Sequence, residues 1–465
     1  MKRESNRPAN ALAMLIFGLI LVAMLPRQLI SQRESTRSSV CADHLREITS
    51  GLHNYSNAFK RLPPGTGGTW SGQDPSKSNQ GRLGPLVGLL PFIGHTKTWE
   101  IIASPLNTEN GMSFPPMGPT PTFNPERYPP WAMAPEVYLC PTSASVLNRE
   151  SQVVTSLREP ERKLTVTSYV ACFGDSTTMQ GEILDLSDPL MRDLVRQRNA
   201  SNRGMFVTGR SIRLSDCTDG LSNTVIYSET IASLRRLDGQ SEIVRNVQGL
   251  SKQPSLCIEA AQKEDRQFWK FGRGARWSDG WPLLTGFQTV LPPNSPSCTS
   301  PFGAIDPVVS ASSLHPDGVH IALADGAVRF ITDRIDTGDL DVAGVASGEG
   351  YAQPDSESPY GLWGAIGSRN AGEIVPNGLP DIPEIKQQSE VADDLSNTDE
   401  LYSWTDHQSG DELSAKFIEI RDQTTVRLKH QSGSIHEVPL NSLAPSEIVR
   451  AVELDLIRKA AMDSL

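Results

Sequence analysis

Six cysteines, Cys41, Cys140, Cys172, Cys217, Cys257 and Cys298, are the residues best equipped for chemistry in this chain. None stands in a C-x-x-C pair, so the usual zinc-finger and dithiol-redox spacings are absent. An even number spread over a Gly- and Pro-rich region fits disulfides formed outside the cytoplasm. Buried free thiols are the other reading, and the sequence does not choose a pairing. A second group, His315, Asp317, His320 and Asp325, lies close enough in sequence to suggest metal ligands. The spacing reads better as structure: His315-Pro316-Asp317-Gly318 is a turn, Asp325-Gly326 opens the next turn, and His320 is one residue of the strand between them. No metal ligand, catalytic residue or cofactor is therefore assigned. Ser222-Asn223-Thr224 has no G-x-S-x-G surround, so its hydroxyls are expected to cap backbone groups of a turn. Gly272 and Gly274 lack the third glycine of a dinucleotide loop, and neither a P-loop nor an H-E-x-x-H stretch occurs. Trp269, Trp277, Trp281 and Trp363 offer one further possibility, since clustered indoles can stack on sugars or other flat ligands. That reading requires Trp277 and Trp281 to face solvent; burial against a sheet removes it.

The elements that must hold these residues begin with an apolar run, Ala11 to Leu25, preceded by Lys2, Arg3 and Arg7 and ended by Pro26-Arg27. Fifteen residues of helix span about 22 Å, short of a hydrocarbon core of about 30 Å, with Leu29 and Ile30 available to extend it. A signal peptide has a similar length, but no A-x-A-like cleavage site follows closely, so residues 1–30 are read as a membrane anchor. Cys41, Leu45, Ile48, Leu52, Tyr55 and Phe59 then recur in alternating steps of four and three, one stripe of a helix placed at 31–60. Leu62-Pro63-Pro64-Gly65 stops it. From 63 to 375 the chain reads as short strands in long loops. The clearest hairpin runs Val319 to Ala324, turn Asp325-Gly326, then Ala327 to Ile331, with Val319, Ile321 and Leu323 on one face and a type I′ turn expected at Asp-Gly. Residues 376–400 are acid- and Pro-rich and read as a flexible tether. After it, strands are expected at Tyr402 to Thr405, Ala415 to Ile420, Thr425 to Lys429 and Ser434 to Val438, followed by a helix opened by Pro445.

Several of these segments resemble, in order, a large bacterial family with a prepilin-type N-terminus and a domain of unknown function that sometimes carries a solute-binding label. They are Cys41-x-x-x-Leu45-x-x-Ile48 with Asn54-Tyr55 and Leu62-Pro63-Pro64-Gly65; Tyr138-Leu139-Cys140-Pro141; Asp219-Gly220-Leu221-Ser222-Asn223-Thr224 through to Glu229; His315-Pro316-Asp317-Gly318; and Asp325-Gly326-Ala327-Val328-Arg329-Phe330. The resemblance implies a long helix packed on a sheet, as in a pilin. It marks Cys41, Asn54, Tyr55, Cys140, Asp219, Gly220, Asn223, His315, Gly318, Asp325 and Gly326 as motif residues with structural roles. The N-terminus departs from the pattern. Aligning Pro26 with the family's post-anchor proline puts Glu4 and Ala9 where prepilins carry Gly and Glu, so an unprocessed anchor is expected rather than a filament subunit. Residues 401–465 resemble the first homology domain of the yeast endocytic actin-assembly adaptor, through Trp404-Thr405-Asp406, Ala415-x-Phe417, Val426-x-Leu428 and Val438-Pro439-Leu440. That implies a small SH3-like barrel and peptide binding, with Trp404 a candidate contact.

The fold class expected is α+β: a long N-terminal helix on a mainly antiparallel β domain (31–375), then the SH3-like unit. A chain of 465 residues suits two or three domains. The net charge of -11 without a basic patch argues against nucleic-acid binding. The expected function is a single-pass, membrane-held envelope scaffold with its bulk outside the inner membrane, a protein or peptide partner on the C-terminal domain, and no catalysis. The alternative is an extracytoplasmic carbohydrate- or solute-binding protein using Trp277 and Trp281.

Overall fold

The structure, a computed structural model of the chain, describes residues 34–373 and 402–439 except for 73, 109–110, 124–126, 144–165, 179, 182–188, 233–240, 270, 302, 406–411, 422–424 and 431–433. The expected anchor at 1–30, the tether at 376–400 and the helix after Pro445 lie outside the described residues. Among the described residues no helix is long and apolar enough to cross a membrane. The chain divides into two units, Met1–Ile382 and Pro383–Leu465.

In the first unit the described part of helix α1 runs over 34–59. The apolar stripe sets its orientation: Cys41, Leu45, Ile48 and Leu52 are all buried. The stripe fades toward the C-terminal end, where Tyr55 is half-buried and Phe59 is 58% exposed, its ring against Tyr55 and Phe92. Lys60 ends the helix in a left-handed conformation, φ 58°, the position where a chain commonly leaves a helix before proline. Gly51 sits where α1 passes closest to its neighbour: a Cβ there would lie 2.5 Å from Ile93 Cγ2.

The sheet under α1 has five strands. They are β1 (Tyr169–Cys172), β2 (Val225–Glu229), β4 (Gly286–Phe287), β7 (Gly318–Leu323) and β8 (Val328–Thr332), in the spatial order β8-β7-β2-β1-β4. All neighbours are antiparallel except β1 with β4. Side chains alternate across it as strand geometry demands. Tyr169, Ala171, Tyr227 and Ala322 join the core beneath α1. Val170, Cys172, Val319, Ile321 and Leu323 join a second core on the other face, closed by Trp363 and Ile366 of the helix Gly361–Gly367. The predicted facing of Val319, Ile321 and Leu323 holds. A second, three-stranded sheet combines β3 (Ile243–Val244), β5 (Ser297–Ser300) and β6 (Gly303–Val308), with β3 and β5 parallel.

Three expectations are corrected here. The Asp325-Gly326 turn is not type I′, which needs two residues with positive φ. Only Gly326 has one, at 99°, and Gly326 N donates to Leu323 O (3.0 Å) while Leu323 N donates to Ala327 O (2.8 Å). This is a three-residue loop ended by a left-handed glycine. The region 63–375 is also less purely β than expected. It carries helices at Pro85–Leu89, Thr96–Ala103, Pro189–Ser201, Leu256–Gln262 and Gly361–Gly367; all but Pro189–Ser201 are too short to leave much periodicity to read, and that one is mainly polar. In the second unit, β9 (Tyr402–Thr405), β10 (Glu412–Arg421), β11 (Thr425–His430) and β12 (Ile435–Pro439) form an open antiparallel meander in chain order. The strands fall where the sequence put them, and Val426 and Leu428 are buried. The described residues do not close into a barrel.

The cysteines resolve into two disulfides, Cys41–Cys140 and Cys257–Cys298, with Cys172 and Cys217 free. Burial pushes the Cys172 thiol up to about 12, so it stays protonated and unreactive. Two buried guanidiniums organise the loops. Arg203 is paired with Asp175. Arg273 has no carboxylate in its hydrogen-bond set and donates to the carbonyls of Pro282 (3.1 Å), Leu283 (2.6 Å), Gly286 and Ser310 (3.5 Å). Burial lowers its pKa to about 9.

The stripe of α1 gives a stability test. Leu45→Ala removes a fully buried side chain and is expected to cost about 2–5 kcal/mol in denaturant unfolding. Asn54→Ala, on the exposed side of the same helix, is expected to change stability by less than about 0.5 kcal/mol. Equal effects would mean that α1 does not pack through this stripe.

Candidate functional site

A buried cluster of ionisable groups lies where the first turns of α1 cross the sheet. Five chain segments meet there. Strand β2 is apolar from Val225 to Tyr227 and ends in Glu229, whose side chain falls on the α1 side with Tyr227. A register shift in the β2–β7 pairing between Val225 and Tyr227 places Ile226 and Tyr227 together in the core under α1. Strand β7 contributes His320, which alternates to the same side, opposite the face of Val319 and Ile321. The turn leading into β7 contributes His315, with Asp317 in a left-handed conformation, φ 64°. Helix α1 contributes Glu34, Ser38 and Cys41. The segment after the short 3-10 helix Glu136–Tyr138 contributes Cys140.

Glu229 is the centre. Its Oε2 accepts from the His320 backbone N (2.8 Å) and from His320 Nδ1 (3.1 Å). Its Oε1 lies 3.3 Å from His315 Nε2, off the line that a hydrogen bond needs, and no other group hydrogen-bonds to it. His315 donates from Nδ1 to Glu34 Oε1 (2.6 Å). Ser38 Oγ is 3.3 Å from His320 Nε2, and the two imidazoles pack edge to face with centroids 5.3 Å apart. The disulfide borders the cluster, with Cys140 Sγ 3.7 Å from His315 Nε2.

The electrostatics follow from burial and pairing. Burial alone would raise the Glu229 carboxyl. The charge of His320, the close approach of His315 and the hydrogen bonds of His320 outweigh it and hold the group at about 2. Burial would lower His315, but the close approach and charge of Glu229, then the hydrogen bond and charge of Glu34, outweigh it and hold the imidazole above its ordinary value. The result is a charge-assisted knot that fastens α1 to two strands and a turn.

The motif residues are placed as follows in the structure. Cys41 and Cys140 are joined to each other. Asn54 is exposed and Tyr55 packs on Phe92, centroids 5.6 Å apart. Asp219 accepts from Ala371 N (2.8 Å) and Gly372 N (2.9 Å), pinning the closing segment of the unit. Gly220 takes φ 98° and Asn223 Nδ2 donates to Asp219 O (3.2 Å). Thr224 Oγ1 donates to Gly220 O (3.1 Å), the capping role expected of that hydroxyl. Gly318 allows β8 to approach: a Cβ there would lie 2.2 Å from Ile331 O. Asp325 accepts from Ala327 N (2.9 Å) across its own turn.

Of the group His315, Asp317, His320 and Asp325, only the two histidines meet. What they meet was not assigned from sequence: Glu229, Glu34 and the disulfide. The signal was an acid closing a strand that is apolar from Val225 to Tyr227 and followed by Thr230, Ile231 and Ala232, since a charge in such a run needs a partner. Cys41, Cys140, Glu229 and His315 each offer a ligand atom, all within 4.8 Å of one another.

The stacking face expected of Trp277 and Trp281 is corrected. Trp277 is buried at 1% exposure, its Nε1 donating to Trp131 O (3.1 Å) and its ring packed on Trp131 and Tyr138. Trp281 is half-buried and faces Trp269 instead, centroids 6.3 Å apart, with Arg82 over its ring at 4.3 Å. The Trp404 backbone pairs with Leu413 in the β9–β10 ladder.

Removing the central carboxylate should be costly. Glu229→Ala leaves the His320 imidazole and backbone N–H without their acceptor and His315 without its buried ion-pair partner, and is expected to destabilise the fold by about 3–5 kcal/mol. Glu34→Ala, at a side chain 25% exposed, is expected to cost less than about 1 kcal/mol. Denaturant midpoints of the two variants check this, and a Glu229→Ala protein as stable as its parent would overturn the central role given to that group.

No curated protein and no solved structure matches the chain. A family model does, over residues 31–338. It spans α1, both disulfides, the whole five-stranded sheet and every member of the Glu229 cluster. The match covers well over half of the sequence, and the chain belongs to the family described as "Protein of unknown function (DUF1559)", whose short label is SBP_bac_10.

Proposed function

We propose that the chain is an extracytoplasmic binding and interaction protein held at a membrane by residues 1–30. The domain at 31–375 projects from that anchor as a pilin-like head, and the C-terminal sheet offers a surface to a protein or peptide partner. No catalytic step and no nucleic acid enter this reading. The observation that carries it is the pair of disulfides, which bridge positions 99 and 41 residues apart in sequence and belong to an oxidising compartment. The family label, written as for a solute-binding protein, is in keeping with a binding role outside the cytoplasm. The way α1 lays its stripe on an antiparallel sheet is how a pilin head is built, which supports the scaffold reading.

Fractionation with thiol mapping tests it. In cells producing the full chain, the protein is expected in the membrane pellet, released by detergent but not by high salt. Alkylation before and after reduction should find Cys41, Cys140, Cys257 and Cys298 oxidised and Cys172 and Cys217 reduced. A soluble chain with all six cysteines reduced would overturn the proposal.

The solute-binding alternative has a specific observation in its favour, although not at Trp277. The half-buried Trp269–Trp281 pair, bordered by Phe271 and Arg82, is an aromatic edge of the kind that stacks on sugars. On that reading a soluble oligosaccharide series should raise the melting temperature of the protein, and Trp281→Ala should abolish the rise. A flat response across the series would remove this alternative.

A further inference from the structure

The Glu229 cluster carries an inference beyond the binding role. We propose that when Cys41 and Cys140 are reduced, their two thiolates, His315 Nε2 and Glu229 Oε1 form a four-ligand site for a zinc ion, which the disulfide replaces on oxidation.

Three independent observations point there. The first is geometry. A tetrahedral zinc site with bonds of about 2.0–2.3 Å has ligand–ligand edges of roughly 3.3–3.8 Å. Two edges already have that length: His315 Nε2 to Glu229 Oε1 at 3.3 Å and Cys140 Sγ to His315 Nε2 at 3.7 Å. All four ligand atoms lie within 4.8 Å of one another, so the rest is reached by small side-chain rotations once the sulfurs are free to part.

The second is the state of Glu229 Oε1. It is buried, faces the cluster and has no hydrogen-bond partner. A buried carboxylate oxygen without a donor is costly, and a cation at the cluster centre would satisfy it.

The third is the arrangement behind the ligands. Zinc-bound histidine usually donates its other ring N–H to a carboxylate, and zinc-bound carboxylates are themselves hydrogen-bonded on their far side. Here His315 Nδ1 is committed to Glu34 Oε1, leaving Nε2 turned inward. Glu229 Oε2 is committed to His320, leaving Oε1 turned inward. Both non-sulfur ligands are thus oriented by outer partners, with the coordinating atom of each pointing at the sulfurs.

A closed set of two thiolates, one imidazole and one carboxylate selects zinc over the hard oxygen-seeking cations. The two occupants exclude each other. Thiol–disulfide exchange with a partner disulfide takes two electrons from the zinc-bound thiolates, forms the Cys41–Cys140 bond, leaves the partner as its dithiol after it takes up two protons from solvent, and releases the zinc ion. Either occupant joins α1 to the segment around Cys140, and the metal joins them to β2 and the His315 turn as well.

The test uses the full chain in detergent, reduced anaerobically with a phosphine, and zinc alone as the probe in competition with a chromophoric chelator. The expected result is one tightly held zinc in the reduced chain and none in the oxidised chain. Cobalt in its place should give tetrahedral ligand-field and thiolate charge-transfer bands. The Cys257→Ser/Cys298→Ser variant should bind as the parent does, while Cys41→Ser/Cys140→Ser and His315→Ala lose the site. Glu34→Gln, one shell out, should weaken binding about tenfold. Should reduction unfold the domain, zinc must restore the folded circular dichroism of the parent. The proposal fails if the reduced chain takes up no zinc. It fails equally if zinc does not refold an unfolded reduced chain, if the Cys41→Ser/Cys140→Ser variant binds as well as the parent, or if the oxidised chain binds with equal affinity.

Discussion

A carboxylate with no access to water must be given its hydrogen bonds and countercharge by the protein, and Glu229 obtains them from β7, from the turn before β7 and, through His315 and Glu34, from α1. The contact between α1 and the five-stranded sheet is organised around that requirement. The five-stranded sheet brings the end of β2 beside β7, and the Asp317 turn swings His315 back over the sheet. The apolar stripe of α1 lays its first turns directly above. Hydrophobic burial supplies most of the attraction between helix and sheet, but it has no direction and would tolerate a helix slid by one turn. The Glu229 knot and the Cys41–Cys140 bond do not, so they set the register in which the stripe is buried.

What was legible in the sequence is what repeats locally. The stripe from Cys41 to Leu52 was readable because helical periodicity survives in any environment. The β7 hairpin was readable because Val319, Ile321 and Leu323 alternate, and the strands of the second unit because turn residues separate them. The end of the stripe departs from expectation: Phe59 has the right spacing but is 58% exposed, against Tyr55 and Phe92. Most of the helices were missed because one or two turns carry little period, and Pro189–Ser201, longer than three turns, because its sequence is mainly polar. The type of the Asp325-Gly326 turn was misjudged because Asp-Gly serves two loop geometries and only the backbone distinguishes them.

The candidate site was half legible. His315 and His320 drew notice through proximity in sequence, yet the residues that give them a role stand far away along the chain. Glu34 lies 281 positions before His315 and Glu229 91 before His320. No local pattern encodes such distances. The tryptophans failed in the opposite way. Their clustering in sequence was real, but Trp277 was claimed by the core and only Trp281 and Trp269 stayed at its margin. Residue type alone does not separate an anchor from a ligand platform, because both need a large flat side chain with one polar atom.

The Cys41–Cys140 bond has a mechanical meaning as well. Tension entering the chain at the start of α1 reaches Cys41 within two helical turns. There it can pass through sulfur to Cys140, a separation of 99 residues along the backbone. The backbone between those two positions is bypassed and cannot pay out as slack, so the helix beyond Cys41 cannot be peeled from the sheet by a pull from its own N-terminus. The load arrives instead at Cys140, two residues past Tyr138, whose carbonyl accepts from Ser168 N (2.8 Å) beside the start of β1, a strand paired on both sides within the five-stranded sheet. A domain held from one end and tugged from outside would keep its shape up to the strength of that sheet, with the residues inside the covalent loop carrying none of the force.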